Sequence, residues 1–189
     1  MTLTAWQKKL PLYLTMSRVA VVPFIAMALY IDSIWGRLIA AFLFILGSIS
    51  DYYDGYFARK YDLVSTTGKF MDPVADKIMV NSVMVILLAF QKIDMWMLMF
   101  VIARDTLIGA LRAIAAADQI IVAAKPMGKW KTAMQMSAMP ILILGPLNSL
   151  IPYIDQLAYV VLWTSVILGL TSGWDYYCLY LDERNKKGV

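Results

Sequence analysis

The stretch from Gln156 to Trp174, QLAYVVLWTSVILGLTSGW, contains no charged residue, and neither does Thr132 to Ile154, TAMQMSAMPILILGPLNSLIPYI. Crossing the hydrocarbon core of a bilayer takes about 20 mostly apolar residues, so each stretch is close to a full span. The rest of the chain follows the same bias. Hydrophobic residues make up 61% of its 189 residues and charged residues 16%, against roughly 45–50% and about 25% in soluble domains. Mean hydropathy is +0.67. A globule of this size has too little interior to hide so much apolar side chain from water, which excludes soluble, disordered and fibrous classes.

Apolar stretches between charges predict an all-α integral membrane fold of six transmembrane helices, at about 14–31, 34–58, 74–90, 95–117, 132–149 and 151–181. The loops left over are short, no repeat or linker interrupts them, and residues 1–189 read as a single membrane domain. The start does not read as a cleavable signal. Before the first span, Leu3, Trp6, Leu10 and Tyr13 recur at helical spacing beside Lys8 and Lys9. That pattern suggests a short interfacial helix, with a simple extension of the first span as the alternative. Of the 17 Lys and Arg residues, only Arg37 and Lys92 fall on one side of the spans, leaving 15 on the other. Both termini and the second and fourth loops are therefore expected in the cytoplasm. Trp35 and Trp96, at the opposite helix ends, are consistent with interfacial anchors, burial between helices being the alternative.

The chain has no His, so proton transfer falls to a carboxylate, Lys, Tyr or Cys, and a metal site must rest mainly on oxygen ligands. The single cysteine, Cys178, has no intrachain partner and is expected as a small buried apolar residue. Carboxylates stand within the cytoplasmic ends of the second and third spans. Asp51 and Asp54 are three apart, and Asp72 and Asp76 four apart, so on helices each pair shares a face. Four acids gathered in one wet pocket repel one another, and one or two hard divalent cations compensate. The structural alternative makes Asp72 an N-cap before Pro73 and pairs the other acids with Arg59, Lys69 and Lys77. Gly55 and Ala58 leave the acidic face short of side-chain bulk, which favours close approach of a ligand or helix.

The segment DYYDGYFARKYDLVSTTGKFMDPVAD, Asp51 to Asp76, resembles the signature of the CDP-alcohol phosphotransferases. The frame D-x-x-D-G-x-x-A-R, eight residues, G, three residues, D, three residues, D is met by Asp51, Asp54, Gly55, Ala58, Arg59, Gly68, Asp72 and Asp76. The calcium-loop reading fails because the alternate-position oxygen ligands and terminal Glu are missing. The resemblance implies a six-helix membrane enzyme, usually a homodimer, that moves a phosphatidyl group from a CDP-linked lipid to an alcohol and releases CMP. It further implies that Asp51, Asp54 and Asp72 ligate one or two Mg2+ or Mn2+ ions, with Asp76 as ligand and general base. By the same carry-over Gly55, Arg59 and Ser65, with Thr15, Asp51, Ala58 and Gly68, hold the CDP-lipid. The chain departs from many relatives at Leu12, where they carry Asn after the proline.

A second set of charges concerns the acceptor. Arg104 and Arg112 lie two four-residue steps apart on one helix face, and Lys125, Lys129 and Lys131 gather beyond. They could grip a phosphorylated acceptor, or implement the inside-positive bias and meet anionic lipid. The segments ARDTLIGALR at 103–112 and KPMGKWKTAMQM at 125–136 resemble the branch of the family whose acceptor is glycerol 3-phosphate. That resemblance implies CDP-diacylglycerol and glycerol 3-phosphate as substrates, with the five cations at the acceptor phosphate. Inositol phosphate or serine is the alternative acceptor, and an ion or proton transporter the rival class, against which stands the absence of a charged path to the far side. Membrane lipids and a second copy of the chain are the expected partners, with no nucleic acid, in the bacterial cytoplasmic membrane with the site facing the cytoplasm. Asp175, the remaining deep acid, reads as a structural partner for a basic or hydroxyl group.

Overall fold

The structure is a computed structural model. It describes the backbone of residues 5–31, 33–60, 66–120, 126–145 and 151–187, and side chains at 16–31, 33–50, 74–75, 77–120, 126–145 and 151–187. Among the described residues all regular structure is helical: α1 Ala5–Tyr30, α2 Ile34–Lys60, α3 Thr66–Ala89, α4 Met95–Ala117, α5 Pro126–Leu144 and α6 Ile154–Lys187.

The fourth expected span coincides with α4; the other helices each run into polar residues at one end, while α5 stops five residues and α6 starts three residues inside the expected bounds. Helix α3 starts eight residues ahead of the expected span, and α6 continues through the charged stretch to Lys187. Hydropathy marks where a helix would meet lipid, while backbone hydrogen bonding continues until a turn residue stops it. At the end of α5 that residue is Gly145, whose φ of +79° suits glycine and closes the helix. Helix α1 is unbroken from Ala5 to Tyr30, so the residues expected to form a short interfacial helix and those of the first expected span lie on one helix. Among the described residues one helix, α6, is long and apolar enough on its own to cross a membrane, and 16–30, 34–50 and 77–89 form shorter apolar helices.

The chain forms two compact units, Met1–Phe90 with Ile143–Pro146, and Gln91–Leu142 with Leu147–Val189. In the first, α1 and α2 form a hairpin. Ser33 caps α2 by accepting the Gly36 N–H at 3.0 Å. Gly36 abuts the Ala28 backbone, and eleven residues on, Gly47 faces Met79 of α3 and the stem of Arg18 of α1. A Cβ on Gly47 would stand 2.6 Å from Met79 Sδ and 4.0 Å from Arg18 Cγ. Ile25, Ala40, Phe44, Met79, Val83 and Met84 fill this core, together with one charged side chain, Arg18, which is 0% exposed.

In the second unit α4 and α6 run side by side in the same direction. Asp94, the N-cap of α4, accepts the Met97 N–H at 2.8 Å through Oδ1 and takes Tyr159 Oη–H at 2.7 Å and Trp163 Nε1–H at 3.1 Å on Oδ2. Burial works to raise the Asp94 pKa, but the bonds from Tyr159, the Met97 N–H, Trp163 and the Trp96 N–H outweigh it and hold the carboxyl below its ordinary value. At the other end Tyr180 packs with Ala115 and Ile120 and donates to Asp118 Oδ2 at 2.8 Å.

Large apolar side chains such as Phe24, Phe42 and Leu107 point outward, a distribution that suits lipid and not water. Trp35 and Trp96 are 73% and 58% exposed, so neither is a plug between helices of this chain. Cys178 corrects the expectation of burial: it is exposed, on the same outer face of α6 as Trp174 and Tyr177. Apolar neighbours in sequence do not distinguish a core face from a lipid face, since both select the same residues. Asp175 is half-buried and engaged with other groups, in keeping with a structural role.

Candidate active site

Helix α2 continues to Lys60, which places Asp51, Asp54, Gly55, Ala58 and Arg59 on its last turns, and α3 carries Gly68, Asp72 and Asp76 in its first half. Asp72 therefore stands six residues inside α3 and is not an N-cap before Pro73, which removes that part of the structural alternative. The side chains of all eight frame residues, and that of Thr15, lie outside the described residues, as do Ser65 and Lys125 altogether.

The backbone still sets their level. Gly47 and Met79 face each other, and the arms from them to the α2–α3 connection are equal: 60 − 47 = 13 residues and 79 − 66 = 13. Asp51 stands four residues beyond Gly47 and Asp76 three before Met79, on the corresponding faces. Asp54 and Asp72 are each seven residues away, one turn further on. The hairpin thus carries two tiers of paired acid positions. Hard oxygen donors on two neighbouring helices are a donor set that fits a magnesium-like or manganese-like cation.

The second cluster is described atom by atom and lies wholly in the second unit. Arg104 of α4 donates from Nε to the Gly169 carbonyl at 3.0 Å, from Nη2 to Ser172 Oγ at 3.1 Å and from Nη1 to Asp105 Oδ1 at 2.8 Å. Lys131 of α5 donates to both oxygens of Asp105, at 2.8 and 3.0 Å. Gly169 and Gly173 lie against these stems, where an added Cβ would make ordinary van der Waals contact. A Cβ on Gly169 would sit 3.5 Å from Lys131 Cγ and Cε, and one on Gly173 would be 3.4 Å from Ile108 Cδ1 and 3.6 Å from Arg104 Cγ. The two glycines form a smooth strip on α6 along which the cationic stems lie, a small-residue packing surface of the kind membrane helices use.

The structure thus divides the five expected acceptor cations. Arg104 and Lys131 meet on Asp105, and Lys131, only 5% exposed, sits in a buried ion pair. Arg112 is exposed and stacks on the Tyr176 ring at 5.5 Å. Lys129 is exposed on the first turn of α5. Asp105 was not singled out from sequence, although an acid beside an Arg in an apolar helix signals a partner for buried cations. Among the described residues these bonds set one carboxylate against two cations, and cations of this kind suit an anionic ligand.

The CDP-alcohol phosphatidyltransferase family profile matches residues 8–171, and this chain belongs to that family. A protein of Rickettsia bellii named CDP-diacylglycerol--glycerol-3-phosphate 3-phosphatidyltransferase is 39% identical over 170 residues, covering 90% of this chain and 94% of its own. A Bacillus subtilis protein of the same name is 35% identical, covering 89% and 93%. An Arabidopsis thaliana chloroplastic and mitochondrial relative is 40% identical over 71% of this chain and half of its own.

Proposed function

We propose that this chain transfers the phosphatidyl group of CDP-diacylglycerol to glycerol 3-phosphate, forming phosphatidylglycerophosphate and CMP. The observation that carries this reading is the complete acidic frame on two consecutive helices, in a chain whose relatives bear that transferase name along about nine-tenths of it. The family match runs through both compact units, which supports a single functional domain.

Six helices cross the bacterial cytoplasmic membrane in this reading, with both termini and the acids on the cytoplasmic side, and two copies associate as a homodimer. The inside-positive charge split supports the orientation. CDP-diacylglycerol enters sideways from the inner leaflet, and Thr15, Gly55, Ala58, Arg59, Ser65 and Gly68 receive its CDP portion. Asp51, Asp54, Asp72 and Asp76 would hold one or two Mg2+ or Mn2+ ions, which when bound offset charge on the pyrophosphate. Arg104, Arg112, Lys125 and Lys129 draw in the acceptor phosphate. Lys131 belongs to the same set and, with Asp105, fixes the setting of Arg104. Asp76 accepts the proton of the glycerol hydroxyl, whose oxygen attacks the lipid-bearing phosphorus. The bond from that phosphorus to the CMP phosphate oxygen breaks and CMP leaves.

Purified protein given CDP-diacylglycerol and glycerol 3-phosphate with Mg2+ is expected to release CMP and form phosphatidylglycerophosphate. Inositol phosphate and serine serve as competing acceptors, and a different lipid product would reassign the substrate. Asp76→Asn should lower turnover by about 10²–10⁴-fold, the usual contribution of a general base. Near-wild-type turnover in that variant would remove Asp76 from the role.

A further inference from the structure

The largest fully buried side chain among the described residues carries a charge, Arg18 at 0% exposure, and nothing in the proposed reaction uses it. A guanidinium enclosed in a helix bundle is expensive unless carboxylates or several acceptors surround it. Its level in the bundle is known. Arg18 Cγ lies beside Gly47 of α2, which in turn faces Met79 of α3, so three helices converge at its stem.

Its direction follows from helix geometry. Ala28 lies by Gly36 and Arg18 by Gly47, so α1 and α2 are antiparallel and the N-terminal end of α1 lies toward the C-terminal end of α2. Side chains on a helix tilt toward its N-terminus. From Gly47 and Met79, that is the direction in which Asp51 follows after four residues and Asp76 precedes by three. At 1.5 Å per residue the two positions stand roughly 4.5–6 Å further along the bundle, within the span of one long side chain. Asp54 and Asp72 occupy the next turn out.

We propose that Arg18 is a positioning residue: a buried countercharge beneath the inner acid pair, Asp51 and Asp76, that holds the four-carboxylate site together before a cation binds. This rests on the reading of those acids as a metal site. Arg18 does not touch substrate. It lowers the repulsion among the carboxylates and fixes the inner pair from below, leaving the outer faces to a divalent ion.

The test is thermal unfolding of the purified full chain in detergent, in EDTA and in Mg2+, for wild type, Arg18→Met and Arg18→Lys, each alone and with Asp51→Asn or Asp76→Asn. If the inference holds, R18M lowers the melting temperature far more in EDTA than in Mg2+. The Mg2+-induced rise should then exceed the wild-type rise by at least about 4 °C, the scale of a kcal/mol in a chain of this size. Adding D51N or D76N to R18M should recover part of the loss in EDTA, while each Asn change alone lowers the wild-type value, and R18K should retain most of it. An equal loss in both conditions, additive with both Asn changes, would show that Arg18 is a packing element only and overturn the proposal. Should R18M not fold in either condition, the single Asn variants decide. A fall in melting temperature in EDTA supports a pair with Arg18, and a rise in both variants sinks it. A wild type that does not respond to Mg2+ would count against the metal reading, while the Arg18–Asp coupling in EDTA would still be read independently.

Discussion

Lys131 Nζ lies 2.8 and 3.0 Å from the two carboxylate oxygens of Asp105, which also accepts Arg104 Nη1 at 2.8 Å. One buried acid thus joins a cation from α5 to a cation from its own helix, while Arg104 reaches α6 through Gly169 and Ser172. The charge expected to meet a phosphate directly is in part held by the protein itself, and Asp105 determines where it points.

Replacing Asp105 by Asn leaves the buried Lys131 without its countercharge. Breaking a buried pair at one partner destabilises by about 3–5 kcal/mol, and calorimetric or fluorescence-detected unfolding in detergent should show a loss of that order. Because Arg104 loses one of its three bonds at the same time, the KM for glycerol 3-phosphate should rise in D105N while that for CDP-diacylglycerol changes little. Equal changes in both constants would argue against a role confined to the acceptor.

Arg112 gives the opposite combination. It is exposed, and its contact among the described residues is the face of Tyr176 at 5.5 Å, an interaction of about 0.5–1 kcal/mol at such a site. Arg112→Gln should therefore leave unfolding nearly unchanged. Loss of a hydrogen bond to a charged acceptor is worth about 1.5–3 kcal/mol, so steady-state kinetics should show the acceptor KM raised by roughly 10-fold or more. An unaltered KM would return Arg112 to a lipid-facing or structural role.

Asp94 ties the start of α4 to α6 through Tyr159 and Trp163. Its carboxyl is held below the ordinary value of 3.8, so the stability it contributes is fully present above that value and is lost as pH falls through the lower folded value. Wild type should lose stability as pH falls from about 5 through the carboxylate range, and Asp94→Asn should lose less over that interval from a lower starting point. Asn still serves as an N-cap, so the lower starting point comes from replacing the carboxylate that accepts from Tyr159 and Trp163 by a neutral amide. Parallel pH profiles for the two proteins would contradict the assignment.

Gly47→Ala tests the three-helix contact. The added Cβ would stand 2.6 Å from Met79 Sδ, and Met79 is 0% exposed, so its thioether has little room to move. Overpacking of this kind usually destabilises by about 1–3 kcal/mol. A drop in melting temperature is expected, and a companion Met79→Ala change should relieve part of it. Wild-type stability in G47A would show that the contact yields freely.

The helical class and the acidic frame were legible in the sequence for different reasons. Spans such as 156–174 announce themselves because hydrocarbon rejects charge along a continuous length. Asp51, Asp54, Asp72 and Asp76 stand out because carboxylates are rare beside such spans and their spacing matches one helix face. Helix ends were less legible: α3 and α6 extend through polar residues because hydrogen bonding, not hydropathy, ends a helix. Cys178 was misjudged because lipid-facing and core-facing positions share one composition.

The sequence by itself determined a helical membrane chain and a metal-competent acidic frame, since both are written in local spacing. Only the tertiary structure decided that Lys131 pairs with Asp105, that Arg104 bonds to α6, and that Arg18 is wholly enclosed at the level of Gly47 and Met79. Those facts join residues up to 68 positions apart. The partner of a buried charge is set by which helices pack and at what register, and neither composition nor spacing along one helix carries that information.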